Sequence, residues 1–121
     1  MPPLAKLMLP LALAITLQSA HAQMLGPGSD TNVTLTQSDL DMIKAALARQ
    51  IHGKALGAAA AWSDPTSGNS GTLRLQKVFS RQGQRCEQIE YQLHPPEKGK
   101  LSDRYTLISC LQPDGAWKLS Y

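Results

Sequence analysis

Cys86 and Cys110 have the most versatile chemistry of any side chains in this sequence. A redox-active pair is disfavoured because the sequence contains no C-x-x-C motif. A metal site needs more ligands, and no ligand motif links the cysteines to His52 or His94. Two free, buried cysteines are the alternative to a bond between them. We predict a Cys86–Cys110 disulfide because the chain also begins with an export signal.

The residues around the two cysteines predict a pair of antiparallel strands. Residues 85–94 and 104–111 are rich in β-branched and aromatic side chains, and a proline-containing loop separates them. Closing a loop of this size with a disulfide stabilises a fold by roughly 3 kcal/mol. The register that brings the cysteines together also pairs apolar residues on the other face of the hairpin: Ile89 with Leu107, and Tyr91 with Tyr105.

Other side chains that could support catalysis do not form a recognisable motif. The sequence has no G-x-S-x-G, and His52 and His94 are interpreted as structural or solvated. Glu87 and Glu90 fall on opposite faces of their strand, so they do not form a carboxylate pair. Residues 68–71 form a glycine-rich turn, without the Lys-Ser/Thr of a phosphate loop. We therefore predict no catalytic residues, no cofactor and no metal site.

The tryptophans and the charge of the chain narrow the choice of partner. Trp62 and Trp117 could stack on a sugar or peptide, but their strand positions favour the core. The formal net charge is +3, and the sequence contains no run of lysines or arginines. This charge is too small to indicate nucleic-acid binding. We predict no nucleic-acid partner.

The first 22 residues have the pattern of a secretory signal peptide. Lys6 precedes a short apolar run, and Ala20 and Ala22 frame a small-x-small cleavage site. A membrane anchor is the alternative, but the run is shorter than the ~20 residues that a span needs. No cysteine near the cut offers a lipid attachment point, and no later segment is apolar enough to span a membrane. We predict cleavage after Ala22 and no transmembrane segment in the mature protein.

For the rest of the chain the sequence predicts a flexible lead-in, residues 23–35, followed by one domain, residues 36–121. Thr36 or Ser38 can cap a helix of about four turns, which Gly53 or Gly57 can end. About five short strands with turn residues between them follow the helix. The predicted fold class is α+β: one N-terminal amphipathic helix packed on an antiparallel meander of about five strands, with one disulfide. The apolar stripe of the helix consists of Leu40, Ile43, Leu47 and Ile51.

Three segments of the chain resemble a known family. Residues 62–71 (WSDPTSGNSG), 83–86 (GQRC) and 110–117 (CLQPDGAW) look like the C-terminal domain of the bacterial 17 kDa outer-membrane surface antigens. The likeness covers roughly residues 53–121 and implies no catalytic residues. Family members are often lipoproteins with a glycine zipper and a Cys-Arg pair. Here the zipper is missing and Cys86 and Cys110 precede Glu87 and Leu111, which favours a soluble periplasmic or secreted protein.

These observations lead to one functional hypothesis and one alternative. The hypothesis is a non-enzymatic exported protein of the envelope of a Gram-negative bacterium. Its surface-antigen-like domain would engage an envelope protein in the periplasm or at the outer membrane. The alternative is a small exported inhibitor or ligand-binding module, for which a rigid hairpin with a charged loop at 97–100 is suited.

Overall fold

The computed structural model describes residues 32–120 and contains one helix and one sheet. Helix α1, Gln37–Ala46, continues into a π-helical turn, Leu47–Ile51. The antiparallel sheet has the order β1-β2-β3-β4-β5, which is the order of the strands along the chain. The strands are β1 Ala59–Ser63, β2 Ser70–Arg81, β3 Gln84–His94, β4 Asp103–Leu111 and β5 Trp117–Ser120.

The predicted α+β class, with one helix, a five-stranded antiparallel sheet and a disulfide, is confirmed. The helix occupies residues 37–51, within the predicted range, so it precedes the strands but does not lie at the N-terminus of the chain. The predicted signal peptide, 1–22, lies outside the described residues. Asn32 and Val33 fall in the predicted lead-in, yet the amides of both donate to the carboxylate of Asp103, and Val33 is buried. The packed part of the chain therefore includes residues before 36.

Helix α1 begins at a complete capping box. The amide of Asp39 donates to Thr36 Oγ1 over 3.1 Å, and the amide of Thr36 donates to Asp39 Oδ2 over 2.8 Å. Of the two predicted caps, Thr36 is the one that is used. The π-helical turn ends with the amide of His52 on the carbonyl of Leu47, and Gly53 follows with a φ of +79°. Glycine adopts this φ without strain. Of the two predicted helix ends, the structure therefore uses Gly53 and not Gly57.

The apolar stripe of the helix packs on one face of the sheet, which we call the helix face. Helix α1 contacts β1, and the π-helical turn contacts β1 and β2. The helix face is the side that carries Leu73, Ile89 and Tyr91, all of which are buried. Apolar burial on this side supplies most of the driving force for folding. The buried core consists of Val33, Ile43, Ala46, Leu47, Ile51, Ala60, Trp62, Leu73, Leu75, Ile89, Tyr91 and Leu93.

The predicted hairpin register is confirmed. Cys86 pairs with Cys110, Ile89 with Leu107 and Tyr91 with Tyr105. The two cysteines form a disulfide between β3 and β4. Because side chains alternate along a strand, the disulfide lies on the side away from the core.

We call this second side the open face, since no helix of residues 32–120 covers it. On β1 it consists of the odd-numbered residues, and on β3, β4 and β5 of the even-numbered residues. On β2 it consists of Ser70, Thr72, Arg74, Lys77, Phe79 and Arg81.

A β-bulge at Gln76 sets which side chains of β2 reach the open face. Leu75 pairs with Ile89 and Lys77 pairs with Gln88, so Gln76 is an extra residue on its strand. Strict alternation would put Lys77 on the helix face with Leu75. The bulge instead turns Lys77, and with it Phe79 and Arg81, to the open face.

Candidate functional site

The open face is a polar surface that residues 32–120 leave exposed. Ala59, Ala61, Thr72, Arg74 and Thr106 are all exposed, although each lies within a strand of a five-stranded sheet. A sheet with one packed face and one polar face is stable as it stands. The open face is therefore available for an interaction, and its backbone is already fixed.

The charged side chains on the open face are almost all cationic. Glu90 is the one carboxylate among the described residues of this face, and its Oε2 lies 3.6 Å from Arg104 Nε. The cations come from three of the five strands: Arg74, Lys77 and Arg81 from β2, Arg104 from β4 and Lys118 from β5.

The other seven carboxylates of residues 32–120 lie off the open face, and four of them are buried. Asp39 begins the helix, Asp64 follows β1, and Glu87 and Asp103 lie on the helix face. Each accepts hydrogen bonds from protein groups, as a buried carboxylate must. The separation of acidic and basic residues therefore makes the open face more cationic than the formal charge of the chain suggests.

A shallow depression of about 630 Å³ lies where β1 meets β2 and β3. The side chains of Ala59 and Ala61 are short, whereas Arg74 and Gln92 on the neighbouring strands are long. The difference in height creates the depression, and Thr72 supplies a hydroxyl to its floor. Glu90 also lines the depression, so one carboxylate balances the guanidinium of Arg74, and the amide and hydroxyl groups can bind peptide groups.

The far end of the open face is rigid. Phe79, Cys86, Cys110 and Lys118 lie side by side across four strands, so the disulfide stands in the middle of this row. Arg81 lies 5.5 Å from the centre of the Phe79 ring. Its Nη1 also donates to the hydroxyl of Ser120 on β5 over 2.7 Å. Arg81 is thus held in place before any partner arrives.

A second polar cluster joins the end of the helix to the sheet. His52 Nδ1 lies 2.7 Å from Glu87 Oε1, and Glu87 Oε2 accepts from the amide of Gly53 and from Arg85 Nε. The ring of Trp117 stacks on His52 with centroids 4.1 Å apart. This cluster of His52, Glu87 and Trp117 was not predicted from the sequence. The contact joins residues 35 positions apart, and no local pattern encodes it.

The chemistry available to this cluster is limited. Glu87 is fully buried and orients the imidazole of His52, as a carboxylate does in a catalytic dyad. Residues 32–120 place no hydroxyl or thiol against His52 Nε2, and they contain no group of three potential metal-ligating His, Cys, Asp or Glu side chains. His94 is hydrogen-bonded to the hydroxyl of Ser102. The contacts of Glu87 with His52 and with the Gly53 amide join the end of the helix to β3.

A third polar cluster fixes the start of the helix to the loop between β1 and β2. Asp39 accepts from the hydroxyl of Ser67 over 2.6 Å and from Asn69 Nδ2 over 2.8 Å. Ser38 donates to the carboxylate of Asp64 in the same cluster. Burial would raise the pKa of Asp39, but hydrogen bonds from Ser67, the Thr36 amide and Asn69 outweigh burial and hold the pKa below its ordinary value.

The remaining aromatic residues have structural positions. Trp62 is buried in the core, as predicted, whereas Trp117 is half-buried against His52. Burial in the core also raises the pKa of Tyr91 above its ordinary value, with a smaller contribution from the nearby charge of Glu87. None of these rings lies on the open face.

Within residues 32–120 no helix has the length and apolar character needed to cross a membrane. Comparison of the chain with known proteins gives no match to a family model, to a curated protein or to a solved structure. The resemblance to the 17 kDa surface antigens stays a prediction from residues 53–121.

Proposed function

We propose that this chain is a non-enzymatic exported protein of the bacterial envelope that binds another envelope protein through its open face. The observation that carries the proposal is the one-sided covering of the sheet. The helix packs on the helix face, while the open face presents a fixed backbone and exposed polar side chains. Pre-organised surfaces of this kind lose little conformational entropy on binding.

The disulfide supports the part of the proposal that concerns export. Disulfides form and persist in the periplasm and outside the cell, and they are rare in the cytoplasm. Cys86 and Cys110 are paired across neighbouring strands, which suits a permanent structural bond. The signal-peptide pattern of residues 1–22 points to the same compartment.

Both histidines of the described domain support a non-enzymatic role. His52 is hydrogen-bonded to Glu87 and stacked on Trp117, and His94 is hydrogen-bonded to Ser102. General acid–base catalysis needs a histidine that faces a substrate site with a nucleophile or a bound water. Within residues 32–120, His52 and His94 each link two segments of the fold.

Photo-crosslinking in intact cells tests the binding proposal. A photoreactive amino acid at Thr106 on the open face should yield a discrete cross-linked product. The same amino acid at Ala48, which is exposed on the helix, is the matched control and should yield none. Equal labelling from both positions, or none from Thr106, would contradict binding through the open face. Cell fractionation with non-reducing mass spectrometry tests export separately, since it reports the cleavage site and the disulfide.

A second candidate function, an inhibitor of a hydrolase, is favoured by one loop. Residues 95–102 connect β3 to β4, and Leu101 in this loop is 71% exposed beside Lys100. An exposed side chain on a loop held by a rigid hairpin could enter the specificity pocket of a hydrolase. Inhibition across a panel of peptidases and glycosidases, abolished by Leu101→Ser and kept by Thr106→Ala, would establish this function. A panel without inhibition would remove it.

A further inference from the structure

From the distribution of charge we infer that the partner binds the open face with an acidic polypeptide segment. This inference rests on the proposed function and gives the partner its chemical character. The recognition elements are the guanidinium and ammonium groups of the open face, which lie on β2, β4 and β5.

The charge balance of the open face carries the inference. Five cations and one carboxylate give this face a formal charge of +4, whereas the full chain has a formal charge of +3. The rest of the molecule is therefore slightly acidic, and a long-range field attracts anions to one side of the sheet. Four of the described carboxylates are buried with hydrogen-bond partners, so they are not available to bind the cations of a neighbouring molecule.

The spacing of the cations suits an extended peptide. Arg74 on β2 is in line with Glu90 and Thr106, and Arg104 lies two residues along β4 from Thr106, so the backbones of the two arginines are about 12 Å apart. About three to four residues of extended chain cover that distance, so two carboxylates of one segment can meet the two guanidinium groups. Glu90 and Gln92 lie between the two arginines on β3, and the Gln92 side chain offers a donor and an acceptor for peptide groups.

An anionic membrane fits the open face less well than an acidic polypeptide. Surface-bound proteins insert apolar side chains into the bilayer as well as making electrostatic contacts. The large apolar side chains exposed within residues 32–120 are Leu56, Val78 and Leu101, and none of them lies on the open face. Phe79 is on this face but is half-buried, with Arg81 over its ring.

Binding of poly-L-glutamate to the protein purified after export tests the inference. One variant removes three cations of the open face by Arg74→Gln, Arg104→Gln and Lys118→Gln. The matched control removes three exposed cations of the helix side by Lys44→Gln, Arg49→Gln and Lys54→Gln, with the same change in formal charge. At low salt we expect the first variant to lose at least tenfold in affinity and the control less than threefold. Circular dichroism checks that both variants are folded.

Amide shifts in the wild-type protein provide a readout that needs no substitution. Poly-L-glutamate should shift the amide resonances of Thr72, Gln92 and Thr106 and leave those of the helix unchanged. Equal losses in the two variants, shifts spread over both faces, or no binding by the wild type would overturn the inference. Tighter binding to phosphatidylglycerol vesicles than to poly-L-glutamate would also overturn it, in favour of a membrane. A cross-link from Thr106 to a partner without an acidic segment would refute the inference alone, whereas failure of that cross-link would refute the proposed function.

Discussion

Ile89 and Glu90 are neighbours on β3, but their side chains lie on opposite faces of the sheet. The two faces differ in burial and in charge. Ile89 is fully buried on the helix face, among apolar side chains that the helix covers. Glu90 lies on the open face beside exposed cations. Carboxylates on the covered side are buried and hydrogen-bonded, while positive charges gather on the other side.

The contrast between the helix face and the open face indicates which residues can be substituted without loss of the fold. Burial and buried hydrogen bonds on the helix face contribute to the free energy of folding, and the cost of removing them is large. Exposed charges on the open face contribute little to stability, because surface ion pairs are worth about 0–1 kcal/mol. If the two faces divide their tasks in this way, substitutions on one should change stability and substitutions on the other should change binding.

Replacing both Cys86 and Cys110 by serine tests the one open-face feature that we expect to stabilise strongly. The cysteines are 24 positions apart, and the chain-entropy relation for such a loop gives a loss of about 3.5 kcal/mol. Denaturant unfolding measures it, and the reduced wild type is the control, which should unfold at the same midpoint. A variant as stable as the oxidised wild type would show that the disulfide does not stabilise the fold.

Gly71→Ala examines how tightly the helix face is packed. A Cβ on Gly71 would lie 2.7 Å from Trp62 Nε1 and would clash with the carbonyl oxygen of Gln92. Since neither backbone nor indole can retreat easily, we expect a loss of about 2–3 kcal/mol in thermal unfolding. The control, Thr72→Ala on the open face, should lose less than about 0.5 kcal/mol. Similar losses in the two variants would contradict the contrast in packing.

Glu87→Gln and Glu90→Gln compare the same substitution on the two faces of one strand. Glu87 is fully buried and accepts from Gly53 and Arg85, so its loss should cost about 2 kcal/mol. Glu90 meets Arg104 at 3.6 Å, and the Arg104 side chain is 68% exposed, so its loss should cost below about 0.5 kcal/mol. Urea titrations of both variants make the comparison. Equal losses would mean that the open-face ion pair is structural.

Asp39→Asn tests a pH dependence of stability that we expect on the helix face. The folded-state pKa of Asp39 is lowered, so its stabilisation is complete above the unfolded pKa of about 4 and is lost as the pH falls through the folded pKa. The wild type should exceed the variant by about 1 kcal/mol at pH 7, the usual value of a helix cap, and the difference should shrink below pH 4. Asp41→Asn, at an exposed position of the same turn, is the control. A difference that grows on acidification would contradict the direction of the pKa shift.

Gln82→Asn concerns the hairpin tip, where the smallest effect is expected. Gln82 has a φ of +52° and Gly83 a φ of +79°, the conformation of a two-residue turn that prefers Asn-Gly. We expect a gain of about 0.5 kcal/mol, because asparagine tolerates this backbone better than glutamine. Gln84→Asn, within β3, serves as the control and should bring no gain. A loss at Gln82 would mean that its side chain makes a contact that matters.

The hairpin of β3 and β4 was predictable because two independent signals agree on it. The apolar alternation of Ile89, Tyr91 and Leu107 and the need to join Cys86 to Cys110 both require one register. The helix was predictable for a similar reason, since Thr36 caps a stripe with helical spacing. Local patterns of this kind can be recognised from residue types and their spacing alone.

Two features of the candidate site were harder to predict from the sequence. Arg104 and Lys118 can be assigned to the open face from alternation, but Lys77 and Arg81 cannot, because the bulge at Gln76 has no strong sequence signal. The pairing of His52 with Glu87 depends on where the helix ends above the sheet. Such a contact follows from tertiary packing and not from local spacing.

The bulge at Gln76 also determines where a one-residue deletion in β2 can be tolerated. Because Gln76 is the extra residue, its removal would leave a regular strand in which Lys77, Phe79 and Arg81 keep their side of the sheet. Deletion of one residue from the regular part of β2, such as Thr72, would shift the strand against its neighbours and exchange its inward and outward side chains. Codon 76 is therefore the place in β2 where a one-codon loss can be neutral.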